Sequence, residues 1–113
     1  MRIKDETVSI KGIRTELVLA LIIIDQVMQR AGKEALITSG SEETTRHSKT
    51  SLHYDGGAVD LRSWWFTHPG KVLALCKVAL GNIPDIDIIL ENEGEANEHF
   101  HMEFQPKRID ELL

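Results

Sequence analysis

The chain is poor in residues that crosslink or stiffen small proteins, with one cysteine, Cys76, and three prolines among 113 residues. A single cysteine excludes an internal disulfide, which fits a reducing compartment or a fold that needs no crosslinks. Hydrophobic residues still make up 42% of the chain and charged residues 27%, which is ordinary for a globular domain. The length suits one hydrophobic core rather than two. We therefore expect a single domain over residues 1–113.

Long hydrophobic runs and excess positive charge are also missing. The most apolar run is the eight residues from Leu17 to Ile24, whereas a membrane-spanning helix needs about 20. The first ten residues, MRIKDETVSI, are too polar for a signal peptide. We expect a protein that is cytoplasmic as synthesised and is not inserted in the membrane. The net charge of −5 argues against a nucleic-acid partner, because such proteins usually carry a basic face.

Hydrophobic patterning predicts an α+β fold with two principal helices and a small, mainly antiparallel sheet. The first helix is expected over 13–31, ending at Gly32, and the second over 70–80, beginning near Pro69. Short apolar or alternating segments predict strands at 35–38, 57–61, 85–90 and 99–104. The polar stretch 39–56 is predicted to form a long ordered loop, and such loops are often functional.

Histidines and acids in this sequence have the chemistry of a catalytic zinc site, which uses three protein ligands and keeps one position open. His53 and Asp60 flank a pair of glycines. An extended chain would separate them by roughly 23 Å, so they can share a metal only if the glycines allow a sharp turn. His99 and His101 lie two apart on a predicted strand, and their side chains should therefore point to the same face.

These residues carry a family resemblance that covers about residues 35–105. Ser51-Leu-His53-Tyr-Asp-Gly56-Gly-Ala58-Val-Asp60 resembles the Ser-x-His-x-x-Gly-x-Ala-x-Asp signature of the D-alanyl-D-alanine metallopeptidases. Glu98-His99-Phe100-His101 resembles their second motif, and Ile37-Thr38-Ser39-Gly40 their preceding strand and turn. The family includes zinc D,D-carboxypeptidases, D,D-dipeptidases of vancomycin resistance and phage L-alanyl-D-glutamate endopeptidases. Its fold is shared with Hedgehog signalling domains.

The resemblance implies a zinc ion held by His53, Asp60 and His101, with Glu98 as general base. The implied substrate is a peptidoglycan stem peptide, and the short chain suits a minimal phage or prophage lysin. Such a lysin would be released to the cell wall by a separate lysis factor. Ser51 and His99 are expected beside the substrate, Ser51 as a turn residue rather than a nucleophile. Where relatives carry a substrate-binding arginine this chain has Glu42, so Arg46 becomes the expected carboxylate-binding group, with Arg62 a weaker alternative.

Two alternatives stay open at this point. Strict strand alternation places His99, His101 and Glu103 on one face and Glu98 on the other, so Glu98 can act as base only if the strand begins after it. A zinc-containing, non-catalytic binding domain of the same fold is the alternative to a peptidase. The remaining glutamates of 91–98 are expected to form a solvated turn.

Overall fold

The computed structural model describes residues 1–43, 51–81 and 83–106. These residues form two α-helices and a five-stranded sheet, which confirms the predicted α+β class. In chain order the elements are β1 (Arg2–Ile3), α1 (Thr15–Arg30), β2 (Leu36–Ser39), a short 3₁₀ helix (Leu52–Asp55), β3 (Ala58–Arg62), α2 (Pro69–Leu80), β4 (Ile86–Glu91) and β5 (His99–Phe104).

The strands are arranged in the order β1-β2-β3-β5-β4. β1 runs parallel to β2, and the other neighbouring pairs are antiparallel. The strand predicted at 99–104 has the predicted bounds, and the other elements differ by one or two residues at their ends. β1 was not predicted, because two exposed residues show no hydrophobic pattern. Backbone hydrogen bonds from Arg2 to Ala35 (3.1 Å) and from Lys4 to Ile37 (2.9 Å) hold this strand on the sheet.

The hydrophobic core lies between the two helices and one face of the sheet. Each helix contributes a stripe of buried side chains at helical spacing. The central strands β3 and β5 contribute alternate residues, as expected for a sheet buried on one side. The core includes Leu17, Leu21, Ile24 and Met28 of α1, Val72, Cys76 and Leu80 of α2, and Val59, Leu61, Ile88, Phe100 and Met102 of the sheet. Burial raises the pKa of the Cys76 thiol to about 11, so the thiol stays protonated at neutral pH and is a poor nucleophile.

This packing fixes the opposite face of the sheet as the polar face. Phe100 and Met102 are fully buried, and burial of side chains of this size stabilises the fold by about 1.5–3 kcal/mol each. A shift of β5 by one residue would exchange them for His99 and His101, so the core holds the register. Asp60 pairs with His101 across β3 and β5, and Arg62 pairs with His99. No helix in the described part of the chain is long and apolar enough to cross a membrane.

Candidate metal centre

The side chains of His53, Asp60 and His101 converge on the polar face of the sheet. One ligand atom of each lies within 4.8 Å of the other two. The Nε2 atom of His53 is 3.4 Å from Oδ2 of Asp60, and Nδ1 of His101 is 2.8 Å from Oδ1 of Asp60. The two imidazole rings meet edge to face, with their centroids 5.4 Å apart. The described residues therefore include a group with the composition and spacing to bind a metal ion.

The turn that brings His53 to Asp60 depends on Gly56. Its φ of 79° is in the left-handed region that glycine adopts without a steric penalty. A Cβ at this position would lie 2.2 Å from the carbonyl oxygen of Gly12, so the space also excludes any side chain. Between Ser51 and Gly56 the chain forms the short 3₁₀ helix, in which the Ser51 hydroxyl accepts a hydrogen bond from the His53 amide. Ser51 is thus placed as a turn residue, as expected. It also lines the cavity that His53, Asp60 and His101 line.

Hydrogen bonds orient the imidazole rings of His53 and His101. His53 is 3% exposed, and its Nδ1 lies 2.9 Å from the carbonyl oxygen of Gly40. The N–H group must be on Nδ1 to donate to this oxygen, so Nε2 faces Asp60 and presents a lone pair to a metal ion whenever it carries no proton. His101 has the opposite arrangement, with Nε2 3.0 Å from Glu103 and Nδ1 toward Asp60. Partners of this kind on the second ring nitrogen are typical of metal-binding histidines.

The electrostatics of the metal-free group depend mainly on the bond between Asp60 and His101. Burial alone would raise the pKa of the Asp60 carboxyl, but hydrogen bonds from His101 and His53 lower that pKa well below its usual range. The hydrogen bond to Asp60 raises the pKa of His101 to about 9, against the opposing effect of burial. Without a metal, the group is therefore a carboxylate held between two imidazoles, and the His101 ring is protonated at neutral pH.

Glu98 lines the same cavity as the three converging residues. β5 begins at His99, so Glu98 belongs to the preceding loop and escapes the alternation that would have placed it on the core side. The strand therefore begins after Glu98, as its role as a base requires, and its role itself stays a prediction. The cavity has a volume of about 740 Å³, and the residues that line it include Thr38, Ser39, His99, Glu91 and Glu103.

Two other expectations have different outcomes. Arg46, the expected carboxylate-binding group, lies outside the described residues. Arg62 stacks on tryptophan rings instead, with its Cζ atom 4.5 Å from the centroid of Trp64 and 5.2 Å from that of Trp65.

Glu42, which occupies the arginine position of the resembling family, accepts hydrogen bonds from the amides of Ser9 (3.0 Å) and Gly40 (2.8 Å). Its carboxylate therefore organises the turn that precedes the predicted metal ligand.

Sequence reasoning missed Glu91 by assigning the glutamates of 91–98 to a solvated turn. Glu91 is the last residue of β4 and pairs with His99 across the strands. Its carboxylate oxygens lie 3.6 Å from Nε2 of His99 and 3.8 Å from Nδ1 of His101. The signal was available in the alternation of 86–91, which places Glu91 on the face opposite Ile88. The acidic neighbours that follow concealed it.

Comparisons with family models, with curated proteins and with solved structures give no match to this chain. The resemblance to the D-alanyl-D-alanine metallopeptidases therefore stays a prediction from its motifs. The case for a function depends on the residues and on their geometry.

Proposed function

We propose that this protein is a zinc-dependent hydrolase of peptidoglycan stem peptides, acting as a D,D-carboxypeptidase or an L-alanyl-D-glutamate endopeptidase. The observation that carries the proposal is the convergence of His53, Asp60 and His101 in a cavity that Glu98 also lines. Two imidazoles and a carboxylate form a donor set that suits zinc. Three protein ligands with a cavity beside them fit a catalytic site, because a purely structural zinc site is closed by a fourth ligand.

The metal chemistry is that of other zinc hydrolases: when bound, the ion polarises the peptide carbonyl and lowers the pKa of water toward about 7. The chain's own residues have the remaining tasks. The Glu98 carboxylate accepts a proton from the attacking water and transfers it to the amine nitrogen as the C–N bond breaks. Gly40 holds the His53 ring through Nδ1, and Glu103 holds the His101 ring through Nε2. These contacts keep both ligand atoms aimed at one point.

The cavity is acidic, which opposes the binding of a negatively charged substrate. Among the described residues that line it, Lys4 carries the one permanent positive charge, while Asp60, Glu91, Glu98 and Glu103 contribute carboxylates. A stem peptide also carries carboxylates, so a cation is needed to bind it in register. Lys4 and Arg46 are the two candidates.

A zinc-containing domain that binds a wall peptide without cutting it is the second candidate function. It is favoured by the position of Glu42, which has the place of the family's substrate-binding arginine and bonds to backbone amides instead. A residue engaged in this way does not replace the arginine. The presence of Glu98 in the same cavity favours catalysis.

The two functions are separated by digestion of purified peptidoglycan and mass spectrometry of the released ends. For the zinc-loaded protein we expect new termini at one type of stem-peptide bond. For Glu98→Gln we expect an unchanged zinc content and a rate lower by roughly 10²–10⁴-fold, because a general base contributes about that much. Glu93→Gln, an exposed neighbour in the same loop, is the matched control. Retention of wall peptide without new ends would favour the binding domain, and full activity in Glu98→Gln would move the base to Glu103 or His99.

A further inference from the structure

A second cluster of potential ligands lies at the rim of the cavity, next to the His53–Asp60–His101 group. It consists of Glu91, His99 and His101, and one ligand atom of each lies within 4.8 Å of the others. The cluster follows from strand register, because Glu91 faces His99 across β4 and β5 and His99 shares a face with His101. Two imidazoles and a carboxylate are again a donor set that zinc and cobalt accept.

The tautomer of His99 suits a cation. Its Nδ1 lies 2.7 Å from the carbonyl oxygen of Asn97, so the ring donates its N–H there. In the neutral ring, Nε2 then carries a lone pair and no proton. An Nε2 atom in this state cannot donate a hydrogen bond to a substrate oxygen, but it can bind a metal. A backbone carbonyl on the second nitrogen is also the usual partner of a metal-binding histidine.

The spacing of these atoms exceeds that of ordinary hydrogen bonds and matches that of ligands around one ion. Nε2 of His99 is 3.6 Å from Glu91, and Nδ1 of His101 is 3.8 Å from the other oxygen of the same carboxylate. Bonds of about 2.0–2.2 Å in a tetrahedral zinc site separate neighbouring ligand atoms by roughly 3.3–3.6 Å. The His99 distance lies at the upper end of this range and the His101 distance slightly beyond it, and the Glu91 side chain is 39% exposed.

We propose that Glu91, His99 and His101 form an outer site for a divalent transition-metal ion, separate from the inner site of His53, Asp60 and His101. Both sites need Nδ1 of His101, which has one lone pair, so an ion occupies one site or the other. The two sites differ in how exposed their unshared ligands are. The side chains of His53 and Asp60 are 4% and 14% exposed, whereas those of His99 and Glu91 are 22% and 39% exposed. The outer site is the one that an ion from solvent reaches first, and the inner site holds it more tightly.

The test measures metal binding alone, so it gives an answer whether or not the protein is a peptidase. The inner site is removed by His53→Gln, and Co²⁺ is titrated while its visible absorption is recorded. We expect the variant to bind one Co²⁺ more weakly than the unmodified protein. On this background, Glu91→Gln and His99→Gln should each weaken Co²⁺ binding further, by at least about tenfold. Glu93→Gln and His68→Gln, which replace exposed residues of the same types, should leave binding unchanged.

Thermal melting of each variant checks that it is folded, and Asp60→Asn supplies a second background in case His53→Gln does not fold. A folded His53→Gln or Asp60→Asn protein that binds no Co²⁺ would overturn the proposal. Equal Co²⁺ affinity with and without Glu91 and His99 would overturn it as well.

Discussion

Replacement of Glu42 by alanine tests whether this carboxylate organises the turn before His53. Glu42 accepts hydrogen bonds from two backbone amides, those of Ser9 and Gly40, and from the Ser39 hydroxyl. Hydrogen bonds to a charged group contribute about 1.5–3 kcal/mol each when shielded from water. The side chain is only partly buried, and water replaces some of what is lost. We therefore expect the free energy of unfolding to fall by about 2–3 kcal/mol in total.

For a domain of this size such a loss lowers the melting temperature by about 8–12 °C. Glu43→Ala is the matched control, because Glu43 is the exposed neighbour. Gly40 also accepts the hydrogen bond of the His53 ring, so Glu42→Ala should weaken zinc binding by about 10- to 100-fold. Calorimetric melting of the metal-free protein and zinc titration measure the two effects separately.

The pH dependence provides an internal check. Burial would raise the pKa of Glu42, but its hydrogen bonds from Ser39, Ser9 and Gly40 lower it below the usual value. A carboxyl with a lowered pKa in the folded state stabilises the protein above the unfolded pKa of about 4.3. This contribution is lost as the pH falls through the lower folded pKa. The difference between wild type and Glu42→Ala should therefore shrink in acid. A Glu42→Ala protein as stable as Glu43→Ala at pH 7 would refute the reasoning.

Three further predictions address the turn, the metal ligands and the substrate. Gly56→Ala should lower the free energy of unfolding by at least about 2 kcal/mol, because φ is left-handed there and the new Cβ would clash with Gly12. In a urea titration Gly12→Ala should lower the free energy of unfolding by less, because Gly12 has a similar φ and open space around it. Equal losses in the two variants would contradict the clash at Gly56. In the metal-free protein the raised pKa of His101 stabilises the fold below the unfolded pKa of about 6.5, and this is lost as the pH rises through about 9. The melting temperature should fall between these two pH values in wild type and change less in His101→Gln. Parallel plots of melting temperature against pH would rule out His101 as the titrating group. Arg46→Ala or Lys4→Gln should lower kcat/KM on wall peptides without loss of zinc, and unchanged kinetics in both would exclude either cation as the carboxylate partner.

The sequence determined the secondary structure and the members of the inner metal group. Periodicity identified both helices and four of the five strands, because core-facing residues repeat at the spacing of each element. The choice of His53, Asp60 and His101 depended on the resemblance to the metallopeptidase motifs, because strand alternation places His99 and His101 on one face and does not choose between them. Glu98 was harder, since its placement depends on the exact residue at which β5 begins.

Only the tertiary structure decided which groups surround these residues. The carbonyl of Gly40, which orients His53, and the amide of Ser9, which binds Glu42, come from segments distant along the chain. No local pattern encodes such contacts, because the partners are 13 and 33 residues apart and meet only in the folded chain. Glu91 was missed for a related reason. The alternation of 86–91 places it on the polar face, but only the pairing of β4 with β5 brings it opposite His99. That pairing is set by the register that the buried Phe100 and Met102 impose on the sheet.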